Sequence, residues 1–234
     1  MNPFNAQLDH IVIATPTLEA GVQWCEKTLG VSPGPGGEHP HMGTHNRLLR
    51  ITSEAFQGAY LEIIAIAPHM PAPAAQARWF DLDNPVLQQR LQTSGPQLVN
   101  WVASVGPGQI QNAVSQWRGL GIDAGEPTAV SRMTPTGELR WQFSIRGDGQ
   151  RPANGALPHL IEWASGSPVH NMPPSPIALR RLTLTHPSAP LQAALDVGHL
   201  SPISVASAVQ DQTPTLCAEL DTPRGLVSLQ TAFF

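Results

Sequence analysis

Glu62 and Glu162 each lie within a short apolar run, Tyr60-Leu61-Glu62-Ile63-Ile64 and His159-Leu160-Ile161-Glu162-Trp163. A carboxylate in such a run is costly to bury unless it is paired, hydrogen-bonded or bound to a metal. Each run closes a longer segment that opens on another apolar strand. The first opens Leu8-Asp9-His10-Ile11-Val12-Ile13-Ala14 and the second Leu98-Val99-Asn100-Trp101-Val102-Ala103-Ser104. A duplicated unit places two half-sites face to face, with a repeated carboxylate as the group they share.

Other residues able to do chemistry cluster around these strands. His39, His41 and His45 fall in a Gly/Pro-rich stretch, and imidazole is a common transition-metal ligand. Their spacing matches no specific metal signature, so His45 and Asn46 are read instead as ligand-contacting residues at a cleft rim. Arg47 and Arg50 follow and could anchor a carboxylate bidentately, a solvated strand edge being the alternative. His159 stands three residues before Glu162, which places the two on opposite faces of a regular strand. Trp101 and Trp163 flank Asn100 and Glu162 and could floor an apolar pocket, with core filling as the plainer role. Cys25 lies on the apolar side of a helical pattern without a basic partner, which argues against a catalytic thiol.

The elements that must carry these residues are legible in outline. After the opening strand, Thr17 reads as a helix N-cap, and Leu18, Val22, Cys25 and Leu29 keep helical spacing up to Gly30. Val31 to His45 reads as a turn-rich loop, and Asn46–Ile51 and Ala59–Ala67 as strands. Ala74 to Thr93 reads as a helical insertion with a break at Pro85. The second unit repeats the plan, with a strand at Leu98–Ser104, a helix at Ile110–Leu120, and strands at Thr128–Met133, Leu139–Ile145 and Leu157–Trp163. Beyond a proline-rich stretch at residues 165–176, a third, degenerate unit is expected. It comprises Leu182–Thr185, His186-Pro187, a helix near Pro190–Val197, and strands at Ile203–Val209, Thr215–Leu220 and Leu226–Thr231. Arg181 stands where the first unit has His10, so this third copy is not expected to complete a site.

Composition narrows the class. The 234 residues are 41% hydrophobic and only 13% charged, with 24 prolines and 20 glycines, which fits a loop-rich globular α+β chain. The net charge of -4 and the absence of a basic stripe disfavour nucleic acid. No run approaches a membrane span, and the N-terminus lacks the pattern of a signal peptide. Cys25 and Cys217 form no CxxC pair, so a reducing cytoplasm is the expected home. A homodimer is the default assembly. No phosphate-binding loop, dinucleotide fingerprint or nucleophile elbow is present.

The opening strand Leu8 to Ala14, the helix ending Leu29-Gly30, the stretches Gly36-Gly37-Glu38-His39-Pro40 and Gly43-Thr44-His45-Asn46, and Tyr60 to Ile64 together resemble the vicinal oxygen chelate superfamily, and within it the glyoxalase-like domain proteins. The resemblance covers roughly Leu8 to Trp163. It implies paired βαβββ modules that form a curved, incomplete barrel, here with modules at 1–67 and 98–165, a helical insertion at 68–97, and a linker plus degenerate module at 166–234. It also implies ligand positions at His10, Glu62, Asn100 and Glu162, where Asn100 departs from the stronger His or Gln ligand. On that basis His10, Glu62 and Glu162 would hold a divalent ion such as zinc, nickel, manganese or iron. One of the two glutamates would then act as general base. The implied activity is lyase, isomerase or dioxygenase-type chemistry on a small carbonyl or vicinal-oxygen compound. The alternative is a metal-free cleft that binds or sequesters a small molecule.

Overall fold

In the computed structural model the short apolar segments assemble into two sheets, flanked by helices. The structure describes residues 4–135, 137–164, 166–185, 189–200, 203–206 and 215–231. The first unit comprises strand β1 (Ala6–Ala14), helix α1 (Leu18–Thr28) and strands β2 (Gly34–His39), β3 (Thr44–Arg50) and β4 (Tyr60–Ile66). Helix α2 (Pro85–Ser94) follows. The second unit is β5 (Gln97–Val105), α3 (Ile110–Gly119), β6 (Glu126–Thr134), β7 (Gly137–Ile145) and β8 (His159–Trp163).

These eight strands form one sheet in the order β2-β3-β4-β1-β5-β8-β7-β6. Each unit pairs its first strand with its last in parallel, and the two units join antiparallel through β1 and β5. The sheet curls so that its two ends approach: Arg132 of β6 lies against Gly37 of β2. This is the nearly closed curved sheet that paired βαβββ modules are expected to build.

Helix α1 starts where expected, with the Thr17 side chain accepting from the amide of Ala20, and it buries Leu18, Gly21 and Cys25 against the convex face. Gly21 is required there, because a Cβ would stand 2.4 Å from Cγ2 of Ile63. Strand β2 was expected to be loop. Its Gly34-Pro35-Gly36-Gly37 run has poor strand propensity, and its pairing with β3 is interrupted by an irregularity between Gly34 and Gly37. Residues 74–84 are not helical either. The helix begins only at Pro85, capped by Asn84, and Phe80 and Asp81 upstream adopt left-handed φ values of 60° and 58°.

That non-helical stretch fills the concave side of the sheet. Trp79, Phe80 and Leu82 join Leu87 and Leu91 of α2 in a core with Val12, Ile64, Val102, Phe143 and Ile161. It is fastened by Arg151, which is 5% exposed, donates to Asp81 at 2.5 Å and to the carbonyl of Val99 at 2.6 Å.

The C-terminal unit comprises β9 (Ala178–Thr185), α4 (Ala189–Val197), β10 (Ile203–Ala206), β11 (Thr215–Thr222) and β12 (Gly225–Gln230), which form a second sheet in the order β10-β9-β11-β12. It keeps the succession of strand, helix and three strands, but the strand after its helix pairs directly with the opening strand. In the first two units that strand sits at the far edge. The unit packs on the convex side, where Trp117 of α3 donates to the carbonyl of Ala194 at 3.1 Å. His186, Pro187 and residues 207–209 of the expected strand lie outside the described residues.

Candidate functional site

The concave face of the first unit gathers its polar residues through a strand irregularity. The β1–β5 register shifts between Leu8 and His10, so Asp9 is an extra residue in the ladder. Such a bulge frees consecutive residues from strict alternation. Asp9 and His10, 3% and 4% exposed, therefore meet: Asp9 Oδ1 lies 2.7 Å from His10 Nδ1, and Asp9 Oδ2 accepts from the indole of Trp163 at 2.8 Å.

Parallel pairing with β4 sets His10 beside Tyr60 and Val12 beside Glu62. The imidazole of His10 stacks on the Tyr60 ring, with centroids 4.6 Å apart, and its Nε2 lies 3.5 Å from Glu62 Oε2. Glu62 Oε1 accepts from Asn46 Nδ2 at 2.6 Å. The Asn46 amide is a hub. Its oxygen accepts from the Gly37 backbone at 2.8 Å and from Arg132 Nη1 at 3.4 Å, and its nitrogen lies 3.5 Å from His39 Nε2.

Charge follows from this arrangement. Burial opposes protonation of His10, yet the Asp9 and Glu62 carboxylates outweigh it and lift its pKa to about 9. Burial likewise disfavours the Glu62 anion, but His10 and Asn46 hold its pKa down at about 2. The two groups therefore form an imidazolium–carboxylate pair at neutral pH. At His39 burial outweighs the pull of the Glu62 carboxylate and pushes the pKa down to about 4, which leaves a neutral ring. Burial raises the Tyr60 phenol well above its ordinary range.

Around the pair, Trp79, Phe80, Trp141, Phe143 and Trp163 form an aromatic wall, and Arg132 closes one side. The remaining cavity is about 40 Å³, enough for one to three waters.

The expected site residues do not all converge here. His10, Glu62, Asn46 and Trp163 line this cavity. Glu162 does not: its carboxylate accepts from the amides of Gly108, Gln109 and Ile110 at 2.8, 2.9 and 3.0 Å. Helix α3 has no side-chain cap of its own at Gln109, and Glu162 supplies one from strand β8. Trp101 sits in the convex-side core, fully buried, rather than in the cleft. His45 alternates away from Asn46 and lines a separate outer groove, its ring 6.1 Å from that of His69. Asn100 faces Val12 across the ladder, is fully buried, and among the described residues has no hydrogen-bond partner for either amide atom.

The register also shows which residue of the second unit corresponds to Glu62. Val12 pairs with Glu62, and Val102, two residues after Asn100 as Val12 is after His10, pairs with His159. His159, not Glu162, is the counterpart. It is 1% exposed, stacks on Phe143, meets the edge of Phe80, and contacts the Ser144 carbonyl through Nδ1, while its Nε2 has no partner among the described residues. Sequence reading had the alternation of His159 and Glu162 right but had no means of telling which face was concave. Asp9, His39, Tyr60 and Arg132 were missed as site residues. The strand bulge brings in Asp9 and the approach of the sheet's two ends brings in Arg132, whereas Tyr60 shares the face of Glu62 two residues on.

The divalent ion implied by the resemblance does not fit this donor set. Among the described residues no three His, Cys, Asp or Glu side chains are placed to hold one. Glu162 is committed to α3, Glu62 to Asn46 and His10, and His10 Nδ1 to Asp9.

The glyoxalase-like domain family model matches residues 8–196, and the chain belongs to that family. Among solved structures it is similar to a hypothetical protein from Staphylococcus aureus, at 14% identity and a TM-score of 0.58, over 96% of this chain and 85% of that one. It is also similar to methylmalonyl-CoA epimerase from Mycobacterium tuberculosis, at 19% identity and a TM-score of 0.40, over 67% and 87% of the two chains. A Streptomyces coelicolor methylmalonyl-CoA epimerase in complex with 2-nitronate-propionyl-CoA matches at 16% identity and a TM-score of 0.41, over 69% and 99%. Comparison with curated proteins finds no match. No helix of the described residues is long and apolar enough to cross a membrane.

Proposed function

We propose that the cleft binds a small carbonyl compound without a resident metal, and that the His10 imidazolium polarises its carbonyl oxygen. The supporting observation is the His10 environment. Asp9 holds Nδ1 at 2.7 Å, whereas Nε2 is 3.5 Å from Glu62, too long for a strong hydrogen bond. The Nε2 proton is thus oriented but weakly engaged, and a ligand oxygen would complete it. An imidazolium so placed stabilises negative charge developing on a carbonyl oxygen, as in enolisation. Glu62, at a pKa of about 2, is a poor base and better suited to holding His10 in its charged form. The reading therefore favours binding and polarisation over efficient proton abstraction by Glu62.

The test is calorimetric titration with 2-oxo acids and neutral ketones, before and after EDTA, beside elemental analysis. Binding that survives EDTA and is lost in His10→Gln supports the reading. Stoichiometric metal that disappears in His10→Ala would overturn it.

A further inference from the structure

The 40 Å³ cavity beside His10 is far smaller than the roughly 300–1,000 Å³ of most ligand sites. It has a neighbour. A groove of about 390 Å³ runs along β2 and β3, the start of the β6–β7 turn and the segment Pro168–Pro176. Leu48, Arg132, Leu139 and Pro168 line both spaces, so these four side chains form the wall between them. On the groove side Val31, Leu49 and Met172 add apolar surface, and Pro173, Pro174 and Pro176 form a wall with fixed backbone φ.

Arg132 stands at the junction. It is partly buried, and burial lowers its pKa, but no carboxylate of the described residues comes within 4.0 Å of it. Among the described residues its one side-chain hydrogen bond is the 3.4 Å contact to Asn46, which leaves most of the guanidinium fork unused. Local sequence makes room for it: a Cβ on Gly37 would stand 2.0 Å from Arg132 Nη1, and a Cβ on Gly36 would collide with the backbone of Asn46. A desolvated guanidinium with free donors, between a polar cavity and an apolar groove, is matched by a planar carboxylate attached to a hydrocarbon chain.

We propose that the ligand of this site is an amphipathic carboxylic acid. Its carbonyl end lies at His10, its carboxylate is bound by Arg132, and its alkyl or aryl tail lies in the proline-walled groove. This rests on the reading that His10 binds a carbonyl oxygen and adds the substrate class.

The test uses three probes, pyruvate, 2-oxooctanoate and 2-octanone, titrated into the full chain. The longer acid should bind tighter than pyruvate by roughly threefold or more per methylene that reaches the groove. It should also bind at least about tenfold tighter than the neutral ketone, the size of one charge-assisted hydrogen bond. Arg132→Gln should erase the advantage of acid over ketone. Gly37→Ala keeps every charge but displaces the guanidinium, and should have the same effect. Because the atom it meets is the end of a flexible side chain, this variant should fold, as melting curves would show. Equal affinity for acid and ketone, with both lost in His10→Gln, overturns this inference while leaving the carbonyl site standing. Equal affinity for pyruvate and 2-oxooctanoate overturns the groove. Failure of all three probes to bind overturns both readings.

Discussion

Replacing Glu162 separates a catalytic role from a structural one. Its carboxylate takes three backbone N–H groups at the start of α3, which has no other side-chain cap. Glu162→Gln keeps an acceptor oxygen but removes the charge, costing about 0.5–1 kcal/mol of helix-dipole interaction at this partly exposed position. Glu162→Ala surrenders all three bonds to water and should cost about 1–2 kcal/mol, in the range of a lost N-cap. For a chain of this size that corresponds to a fall of about 2–8 °C in Tm. The assay is urea and thermal denaturation beside titration of 2-oxooctanoate. Both variants should lose stability in that order while Kd stays within about twofold. Glu62→Gln should lose binding, because His10 loses a partner, and stability as well. An unchanged Tm with abolished binding in Glu162→Ala would refute the assignment and return Glu162 to the site.

His39 and His159 are buried neutral, with pKa values near 4 against 6.5 when unfolded, so the unfolded chain takes up protons first as the pH falls. Their stability contribution is complete above pH 6.5 and is lost towards pH 4, at about 1.4 kcal/mol per pH unit for each group. His10, protonated in both states below 6.5, adds no slope there; its own contribution is lost as pH rises through about 9. Urea midpoints that do not change between pH 6.5 and 5 would contradict the burial of both rings. Trp101→Phe, which removes a buried indole nitrogen without a partner among the described residues, should leave stability within about 1 kcal/mol and binding unchanged. Trp163→Phe, by contrast, strips Asp9 of a donor and should weaken binding, as calorimetry on the two variants would show. Arg151→Met leaves the partly buried Asp81 without this partner, and should cost about 3 kcal/mol. It should also speed hydrogen exchange across Trp79–Leu82, and unchanged exchange there would show that this stretch is held by other contacts.

Much of the scaffold could be read locally. Helix α1, from its Thr17 cap to Gly30, follows from spacing and cap chemistry within a few residues, and so do the apolar strands around His10 and Glu62. Strand β2 could not be read, because its glycines are there for the close approach of Asn46 and Arg132 rather than for strand propensity. The same is true of residues 74–84, whose left-handed turn at Phe80 and Asp81 is held by Arg151 from far along the chain.

By itself the sequence determined that two similar units exist, that His10 and Glu62 lie in their first and last strands, and that His159 and Glu162 face opposite ways. Period-two alternation and helix spacing are properties of neighbouring residues and need no fold to be seen. The tertiary structure alone decided which of those faces is concave, that Glu162 caps α3, that His159 is the counterpart of Glu62, and that Asp9 and Arg132 join the site. Those outcomes depend on strand register, one bulged residue and the curl of the sheet. A shift of one residue in pairing turns every side chain of a strand to the other face, and nothing local in the chain sets that pairing.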